Sequence, residues 1–330
     1  ALLRQVDLTD VATEEEAVAR VVARAREVPA GEWIVGRGWD EGAWANRYPD
    51  KALLSSEVPE HPVVLHSLHG FASWANDAAL QRAGITADSV VPVGGEMRLG
   101  EDGQPNGLFL NNAAGMIEAA VPPPTDSELV DQVTAGLNQM ARDGYVTVHD
   151  AGLDARQMRV LEQLEAEARL PIRVYAMLSL RDEDLVREWI ARGPDTDNDS
   201  MLVTRTVKAY YDGALGSRGA RLLADYADQP GHRGVSGEDY GFDVALNAEA
   251  MQAGFQIAIH AIGDAGNRES LDILEAVFRD VPAAARNRHR VEHAQIVHPD
   301  DIPRFGELGI IASMEPPHAM EDKTWAEARL

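Results

Sequence analysis

Ionisable side chains collect at the ends of strands that the sequence predicts in its second half. Lys208 lies late in one apolar run, and His260 and His293 each close another. The 33 residues between the two histidines equal about one strand–helix unit, and the 52 between Lys208 and His260 suit one unit plus a long loop. Because the strands of a parallel barrel present their carboxyl ends on one face, we expect these side chains to converge there. Two neutral imidazoles on neighbouring strands can bind one Zn²⁺.

Lys208 stands out because lysine is rare in this chain. Only Lys51, Lys208 and Lys323 are lysines among the 30 basic residues. A lysine in an apolar strand can pair with a carboxylate or extend its amine to solvent. If it faces inward it can instead lose its proton, and the neutral amine can take up carbon dioxide as a carbamate that bridges two metal ions. Single strand-end histidines likewise are more often structural than ligating, so both interpretations stay open at this point.

The elements that must position these residues alternate regularly after residue 125. Predicted helices cover 126–142, 154–168, 182–192, 243–253, 264–279 and 299–307, with another starting near Asp322, and predicted strands cover 144–149, 172–178, 203–211, 255–260, 290–293 and 309–314. Strands that alternate with helices of this length are typical of a parallel sheet, and six such steps favour a barrel over a doubly wound sheet. We therefore predict an α/β fold, a TIM-like (β/α)8 barrel.

Three regions are predicted along the chain. Residues 1–30 form the start of the barrel domain, with its first helix over 14–27 and Thr13 as N-cap. Residues 31–125 change in character, with short apolar runs and four of the six tryptophans, and are predicted to be an inserted α+β cap domain over the barrel mouth. Residues 126–330 form the barrel, from its second to its seventh strand.

Composition excludes several classes of partner and site. Acidic residues outnumber basic residues 54 to 30, and a formal charge of −24 disfavours nucleic acid and membrane surfaces as partners. The chain has no cysteine, which removes disulfides and thiolate ligands, and no apolar run of the roughly 20 residues needed to span a bilayer. We expect a cytoplasmic protein that acts on a small-molecule substrate. A homo-oligomeric state is compatible with these features.

Several linked motifs resemble the amidohydrolase superfamily, in particular the branch that includes N-substituted formamide deformylases. The motifs are VKAYYDGALGSRGA at 207–220, HAIGD at 260–264, RVEHA at 290–294, VHDAG at 148–152, MEPPHA at 314–319 and HGFASWAN at 69–76. They occur over nearly the whole chain and in the order of that branch, which makes the resemblance specific.

The resemblance implies a role for each site residue. Lys208 would be a carboxylated lysine that bridges two metal ions, and His260 and His293 would bind the second of them. The family's His-x-His pair on the first barrel strand and its Asp after the eighth strand do not occur in this sequence. Together with the family's terminal β-sandwich, the first and eighth strands are expected to lie outside the sequence given, which we take as a fragment.

Five further residues have candidate roles beside structural alternatives. Arg218, His69, Trp74 and His318 are candidates for substrate binding, with contact to a metal ion as an alternative for His318, and Asp264 is a candidate for a hydrogen bond that orients His260. Arg218 can equally fix its own glycine-rich loop, and Trp74 can belong to the core that the insertion needs. Asp264 can equally be the N-cap of the helix that follows.

The implied function is a metal-dependent hydrolase that cleaves a C–N bond of the amide or N-acyl type. One or two divalent ions, expected to be Zn²⁺, would lower the pKa of water from ~15.7 towards ~7, so that a hydroxide attacks the carbonyl carbon. Two alternatives stay open. The same site could hydrolyse a lactone or a phosphoester, or the chain could be a non-catalytic, barrel-shaped binding or regulatory protein.

Overall fold

The protein forms two compact units, residues 1–132 and 133–330. The computed structural model describes residues 5–40, 44, 48–68, 72–92, 95–111, 113–215, 218–322 and 326–330. Within these ranges, no helix is long and apolar enough to cross a lipid bilayer.

The first unit is built on a mixed sheet. Its strands are β1 (Val6–Asp7), β2 (Ile34–Trp39), β3 (Val63–Ser67), β4 (Ala72–Ala75), β5 (Gly95–Leu99) and β6 (Pro105–Asn111), and its helices are α1 (Glu14–Ala25), α2 (Lys51–Glu57), α3 (Asp77–Ala83) and α4 (Ala114–Glu118). The strand order is β1-β2-β3-β4-β6-β5. The pairs β1–β2 and β2–β3 are parallel, and the remaining pairs are antiparallel.

Helix α1 packs on this sheet. Thr13 is its N-cap, as predicted, because the Thr13 hydroxyl accepts a hydrogen bond from the backbone N–H of Glu16 at 3.2 Å. The buried side chains of α1 join the apolar cluster of the first sheet, and β1 pairs directly with β2. The described part of residues 1–30 therefore packs within the first compact unit, which extends to residue 132. The assignment of residues 1–30 to the barrel domain and of residues 31–125 to an inserted domain stays a prediction.

The second unit is built on a parallel sheet. Its strands are β7 (Thr147–Leu153), β8 (Arg173–Ser179), β9 (Leu202–Tyr210), β10 (Gln256–Ala261), β11 (Arg290–His293) and β12 (Ile311–Met314). Its helices are α6 (Ala155–Ala166), α7 (Glu183–Arg192), α8 (Val244–Gln252), α9 (Asp264–Asp280), α10 (Ile302–Leu308) and α11 (Pro316–Glu321), preceded by α5 (Asp126–Arg142) across the boundary of the two units. The strands pair in chain order, and every pair is parallel.

Helix starts lie close to the strand ends in this sheet. Asp154, Asp182 and Asp243 are the N-caps of α6, α7 and α8, and each side chain accepts a backbone N–H from the first turn of its helix. The short links from β7 to α6 and from β8 to α7 place these helix N-termini at the carboxyl edge of the sheet. This edge is where active sites lie in parallel α/β folds.

The predicted α/β class is confirmed, and the described residues form a half-barrel of six parallel strands with β7 and β12 at its edges. A closed eight-stranded barrel stays a prediction. The strand predicted to end at His149 continues to Leu153, where Gly152, at φ +115°, lies in a local shift of register. A helix was predicted to start near Asp322; α11 begins at Pro316 and ends at Glu321, a 3-10 helix covers Ala326–Ala328, and residues 323–325 lie outside the described residues. Proline favours the first turn of a helix, which explains the earlier start.

Candidate active site

Five ionisable side chains lie where consecutive parallel strands end. Lys208 is near the end of β9, His260 near the end of β10, and His293 ends β11. Glu315 directly follows β12, and His318 lies in the first turn of α11. Because β9 to β12 are neighbours in the sheet, their carboxyl ends lie side by side.

The register places these residues at slightly different depths. Lys208 pairs with Ala258, two residues before His260, so its Cα lies deeper in the sheet than we expected. His293 pairs with Ala261 and has a φ of +73°, a left-handed conformation that is uncommon for residues with a Cβ. The long lysine side chain compensates for the greater depth of its Cα.

The amine of Lys208 is buried beside an aromatic ring. The residue is 3% exposed, and its Nζ donates a hydrogen bond to the carbonyl of Ala209 at 3.1 Å and lies 3.9 Å from the centroid of the Tyr210 ring. Burial lowers the pKa of Lys208 to about 8, against the opposing charge of Glu292, and the charge of Arg181 lowers it further. Neutral amine is therefore present near neutral pH, and that is the form that reacts with carbon dioxide.

The two imidazoles pack edge to face and favour their neutral forms. The ring centroids of His260 and His293 are 4.4 Å apart, with an angle of 68° between the ring planes. Burial, followed by the charges of His293 and Lys208, lowers the pKa of His260 to about 3. Burial also lowers the pKa of His293, although Glu315 opposes the shift. Neutral imidazole is the form that binds a metal ion.

His293 belongs to a second cluster with Glu315 and His318. The Nδ1 of His293 lies 2.8 Å from Oε1 of Glu315, and the Nε2 of His318 lies 3.2 Å from Oε2 of the same carboxylate. One ligand atom from each of the three residues falls within 4.8 Å of the others. We had given Glu315 no role and had expected His318 to contact substrate or metal. The signal in the sequence was their spacing of three residues directly after a strand, which places both on one side of a helix start.

Asp212 lies directly behind His260 and had not been assigned. It is fully buried, and its Oδ1 is 3.6 Å from the Nε2 of His260. Its carboxylate accepts hydrogen bonds at 2.9 Å from the backbone N–H groups of Arg221, Ile262 and Gly263. Burial raises the pKa of Asp212 to about 6, although these three hydrogen bonds lower it. The only signal in the sequence was its position within the motif that contains Lys208.

Arg181, at the carboxyl end of β8, also went unassigned. Its guanidinium lies 4.2 Å from the ring centroid of Tyr210 and 5.3 Å from that of Tyr240. Among the described residues it makes no ion pair within 4.0 Å, and its positive charge lowers the pKa of both Lys208 and His260. The lining of an adjoining open cleft of about 610 Å³ comprises Asp154, Ser179, Arg181, Asp182, Glu183 and Asp184.

Arg218 and Asp264 form contacts outside this cluster. Arg218 donates two hydrogen bonds to the carboxylate of Asp228, at 3.0 and 2.7 Å, which corresponds to the loop-fixing alternative. Asp264 is the first residue of α9, and its Oδ1 accepts the backbone N–H of Leu223 at 2.9 Å. Within the described part of the chain, the carboxylate beside His260 is that of Asp212 rather than that of Asp264.

Trp74 and His69, two candidates for substrate binding, belong to the first of the two units. Trp74 is fully buried in the core of that unit, where its indole N–H donates to the carbonyl of Asp50 at 2.9 Å and its ring packs edge-on against Trp44 at 6.2 Å. This position corresponds to the core alternative and not to the lining of a substrate pocket. His69 lies outside the described residues.

The donors of this site fit a divalent cation. Within the described residues, the Nδ1 atoms of His293 and His318 are buried and have no aligned hydrogen-bond partner, even though a carboxylate oxygen lies 2.8 Å from the first of them. Here an imidazole nitrogen and a carboxylate oxygen lie close together without forming a hydrogen bond. Ligands of one shared metal ion have this arrangement. Imidazole with carboxylate is a common ligand set for Zn²⁺.

Comparison with known proteins identifies relatives over almost the full chain. The chain is 28% identical over 345 residues to Protein LONG AFTER FAR-RED 3 of Arabidopsis thaliana, with 97% of this chain and 56% of that protein aligned. It is 25% identical to the N-substituted formamide deformylase of Arthrobacter pascens, over 91% of this chain and 56% of that enzyme. The crystal structure of an uncharacterized metal-dependent hydrolase from Pyrococcus furiosus matches with a TM-score of 0.76 at 25% identity, over 99% of this chain and 64% of that one.

The family follows from a match over the whole sequence. The chain spans between 56 and 64% of the length of these relatives. The sequence profile of the amidohydrolase family matches residues 1–330, and the chain therefore belongs to the amidohydrolase family.

Proposed function

We propose that this chain is a metal-dependent hydrolase that cleaves a C–N bond of the amide or N-acyl type. The observation that carries the proposal is the convergence of Lys208, His260 and His293 at one edge of the parallel sheet, where burial favours a neutral amine and neutral imidazoles. Two relatives support it by their names, since one is a deformylase of N-substituted formamides and another a metal-dependent hydrolase.

In this proposal the chain's own residues prepare a metal site. His260 and His293 would hold a divalent ion through imidazole nitrogens. The neutral Lys208 amine can add to carbon dioxide, forming an N–C bond and releasing a proton, and the resulting carbamate would supply carboxylate-like oxygen ligands. A bound divalent ion, which we propose to be Zn²⁺, would lower the pKa of water and polarise the carbonyl group of the substrate. Glu315 and His318 lie beside His293 and can bind either an ion or the substrate.

Replacement of Lys208 tests this function. Lys208→Ala is expected to reduce bound metal and to abolish hydrolysis, because the carbamate that joins the two ions is lost. Lys51→Ala is the matched control, since Lys51 belongs to the first unit, where it pairs with Asp77 at 2.9 Å. Metal content per chain is measured by plasma mass spectrometry after exhaustive dialysis, and turnover is measured with N-substituted formamides and N-acyl amides. Wild-type turnover in Lys208→Ala would refute the bridging role.

The metal count and a substrate panel separate the remaining alternatives. Near two divalent ions per chain is expected, and about one ion would keep a hydrolase but remove the bridging role of Lys208. Turnover of lactones or phosphoesters in place of amides would reassign the reaction class. No metal, with no activity after addition of zinc and bicarbonate, would favour a non-catalytic protein. The small-molecule substrate, the cytoplasmic location and a homo-oligomeric state stay predictions.

A further inference from the structure

Asp212 occupies a fixed position between two loops and the start of α9. Its side chain is fully buried, and its two carboxylate oxygens together accept three backbone N–H groups, one from residue 221 and two from residues 262 and 263. The carboxylate also packs closely against the first turn of α9, since a Cβ added to Gly266 would lie 2.5 Å from Oδ2. The carboxylate is therefore held by the backbone and not by a flexible side chain.

A ring nitrogen of His260 faces this carboxylate. Its Nε2 is buried and has no hydrogen-bond partner among the described residues. Oδ1 of Asp212 lies 3.6 Å away, about half an ångström beyond a hydrogen bond. Oδ1 accepts one N–H, that of Ile262, and a carboxylate oxygen has room for a second. The carbonyl of Gly213 is a competing acceptor, because it raises the pKa of His260.

We propose that Asp212 is a positioning residue that accepts the Nε2–H of His260 and so fixes its tautomer. With the proton on Nε2, the lone pair is on Nδ1, which becomes the ring nitrogen able to bind a metal ion. A carboxylate in this position fixes the orientation of the ring and increases the basicity of the ligating nitrogen. This inference rests on the proposed metal site, and it assigns to Asp212 the role that the sequence had suggested for Asp264.

The first test is the zinc affinity of the chain, measured by competition with a chelating dye in the absence of substrate. Asp212→Asn is expected to weaken Zn²⁺ binding by about 10–100-fold, the usual effect of losing such a partner. Asp301→Asn is the matched control. Asp301 is also a buried carboxylate, 2% exposed, but it accepts hydrogen bonds from Arg268 and Arg304 away from His260. Its variant is expected to keep the wild-type affinity.

A third variant distinguishes failure of this inference from failure of the metal site itself. His260→Asn is expected to weaken zinc binding at least as much as Asp212→Asn. If His260→Asn has no effect, the proposed metal site is wrong. If it weakens binding and a folded Asp212→Asn does not, the positioning role is wrong and the Gly213 carbonyl becomes the acceptor.

A measurement on the unaltered chain covers the case in which Asp212→Asn does not fold. In zinc-loaded protein labelled with ¹⁵N-histidine, two-bond ¹H–¹⁵N correlations report which ring nitrogen is protonated. The expected pattern for His260 is a protonated Nε2 and a metal-bound Nδ1, with the signal assigned by its loss in His260→Asn. A protonated Nδ1 would overturn the proposal.

Discussion

His289 is a buried histidine whose two ring nitrogens both form hydrogen bonds to the backbone. Its titration makes the stability of the fold depend on pH in a predictable direction. The residue is 1% exposed, its Nδ1 accepts the backbone N–H of Ile257 at 2.9 Å, and its Nε2 donates to the carbonyl of Ala284 at 2.9 Å. Protonation would place an N–H against the N–H of Ile257. Burial lowers the pKa of His289 from 6.5 to about 4, although the Ala284 carbonyl opposes the shift.

The sign and size of the effect follow from proton linkage. Above pH 6.5 both the folded and the unfolded states hold neutral His289, and its contribution to folding is fully present. As the pH falls from 6.5 towards 4, the unfolded chain takes up the proton and the folded chain does not, so stability is lost. The pKa of His289 differs by about 2.5 between the unfolded and the folded chain, and this difference corresponds to about 3 kcal/mol of unfolding free energy.

The assay compares urea unfolding of the chelator-treated wild type and His289→Gln between pH 7.5 and 4.5. Glutamine can accept from Ile257 and donate to Ala284 without titrating, so the variant is expected to lose about 2–3 kcal/mol less than the wild type over this range. His260 and His293 titrate in both proteins and cancel in the difference. His298→Gln, at a partly exposed position, serves as the control and is expected to follow the wild type. Parallel wild-type and His289→Gln curves would refute the reasoning.

Two further substitutions test the electrostatics and the packing around the site. Arg181→Gln removes a positive charge that lowers the pKa of Lys208, so that pKa is expected to rise and the ¹³C signal of a Lys208–¹³CO₂ adduct at pH 7 to weaken; an unchanged signal would contradict this. Gly263→Ala places a Cβ 1.9 Å from the carbonyl oxygen of Arg221 and is expected to destabilise the chain by about 3 kcal/mol in urea unfolding. Gly306→Ala, inside α10 and with nothing within 4 Å, is expected instead to stabilise it by up to about 1 kcal/mol.

Local patterns in the sequence were sufficient to predict most of the helices and strands from residue 126 onwards. The helix predicted over 126–142 has the observed bounds, because its apolar and polar residues alternate with helical period and acidic residues occupy its first turn. The order of the strands followed as well, since the predicted barrel requires consecutive strands to pair in sequence order. The convergence of Lys208, His260 and His293 was predicted from spacing alone.

Interactions between distant backbone groups were not predictable in this way. Nothing in the sequence around Asp212 shows that N–H groups from residues 221, 262 and 263 meet its carboxylate, because these contacts depend on how two loops fold. The same applies to Arg218, whose partner Asp228 lies ten residues further along an irregular loop. Trp74 was ambiguous for another reason, since burial in a core and the lining of a pocket require the same side chain.

Three basic side chains lie together at the carboxyl edge of the parallel sheet. Their placement there costs folding free energy, and it also favours the neutral forms that the proposed metal site needs. Lys208 is buried, and His260 and His293 are partly buried beside it. The charges of His293 and Lys208 lower the pKa of His260, and the charge of Lys208 lowers that of His293. A fold that needed only a stable core would place apolar residues here, because burying groups that repel one another as cations is unfavourable. Burial and mutual repulsion instead favour neutral nitrogen atoms with available lone pairs, which both metal ligation and carbamate formation require. The unfavourable placement of these three residues is therefore an argument for function that is independent of family resemblance.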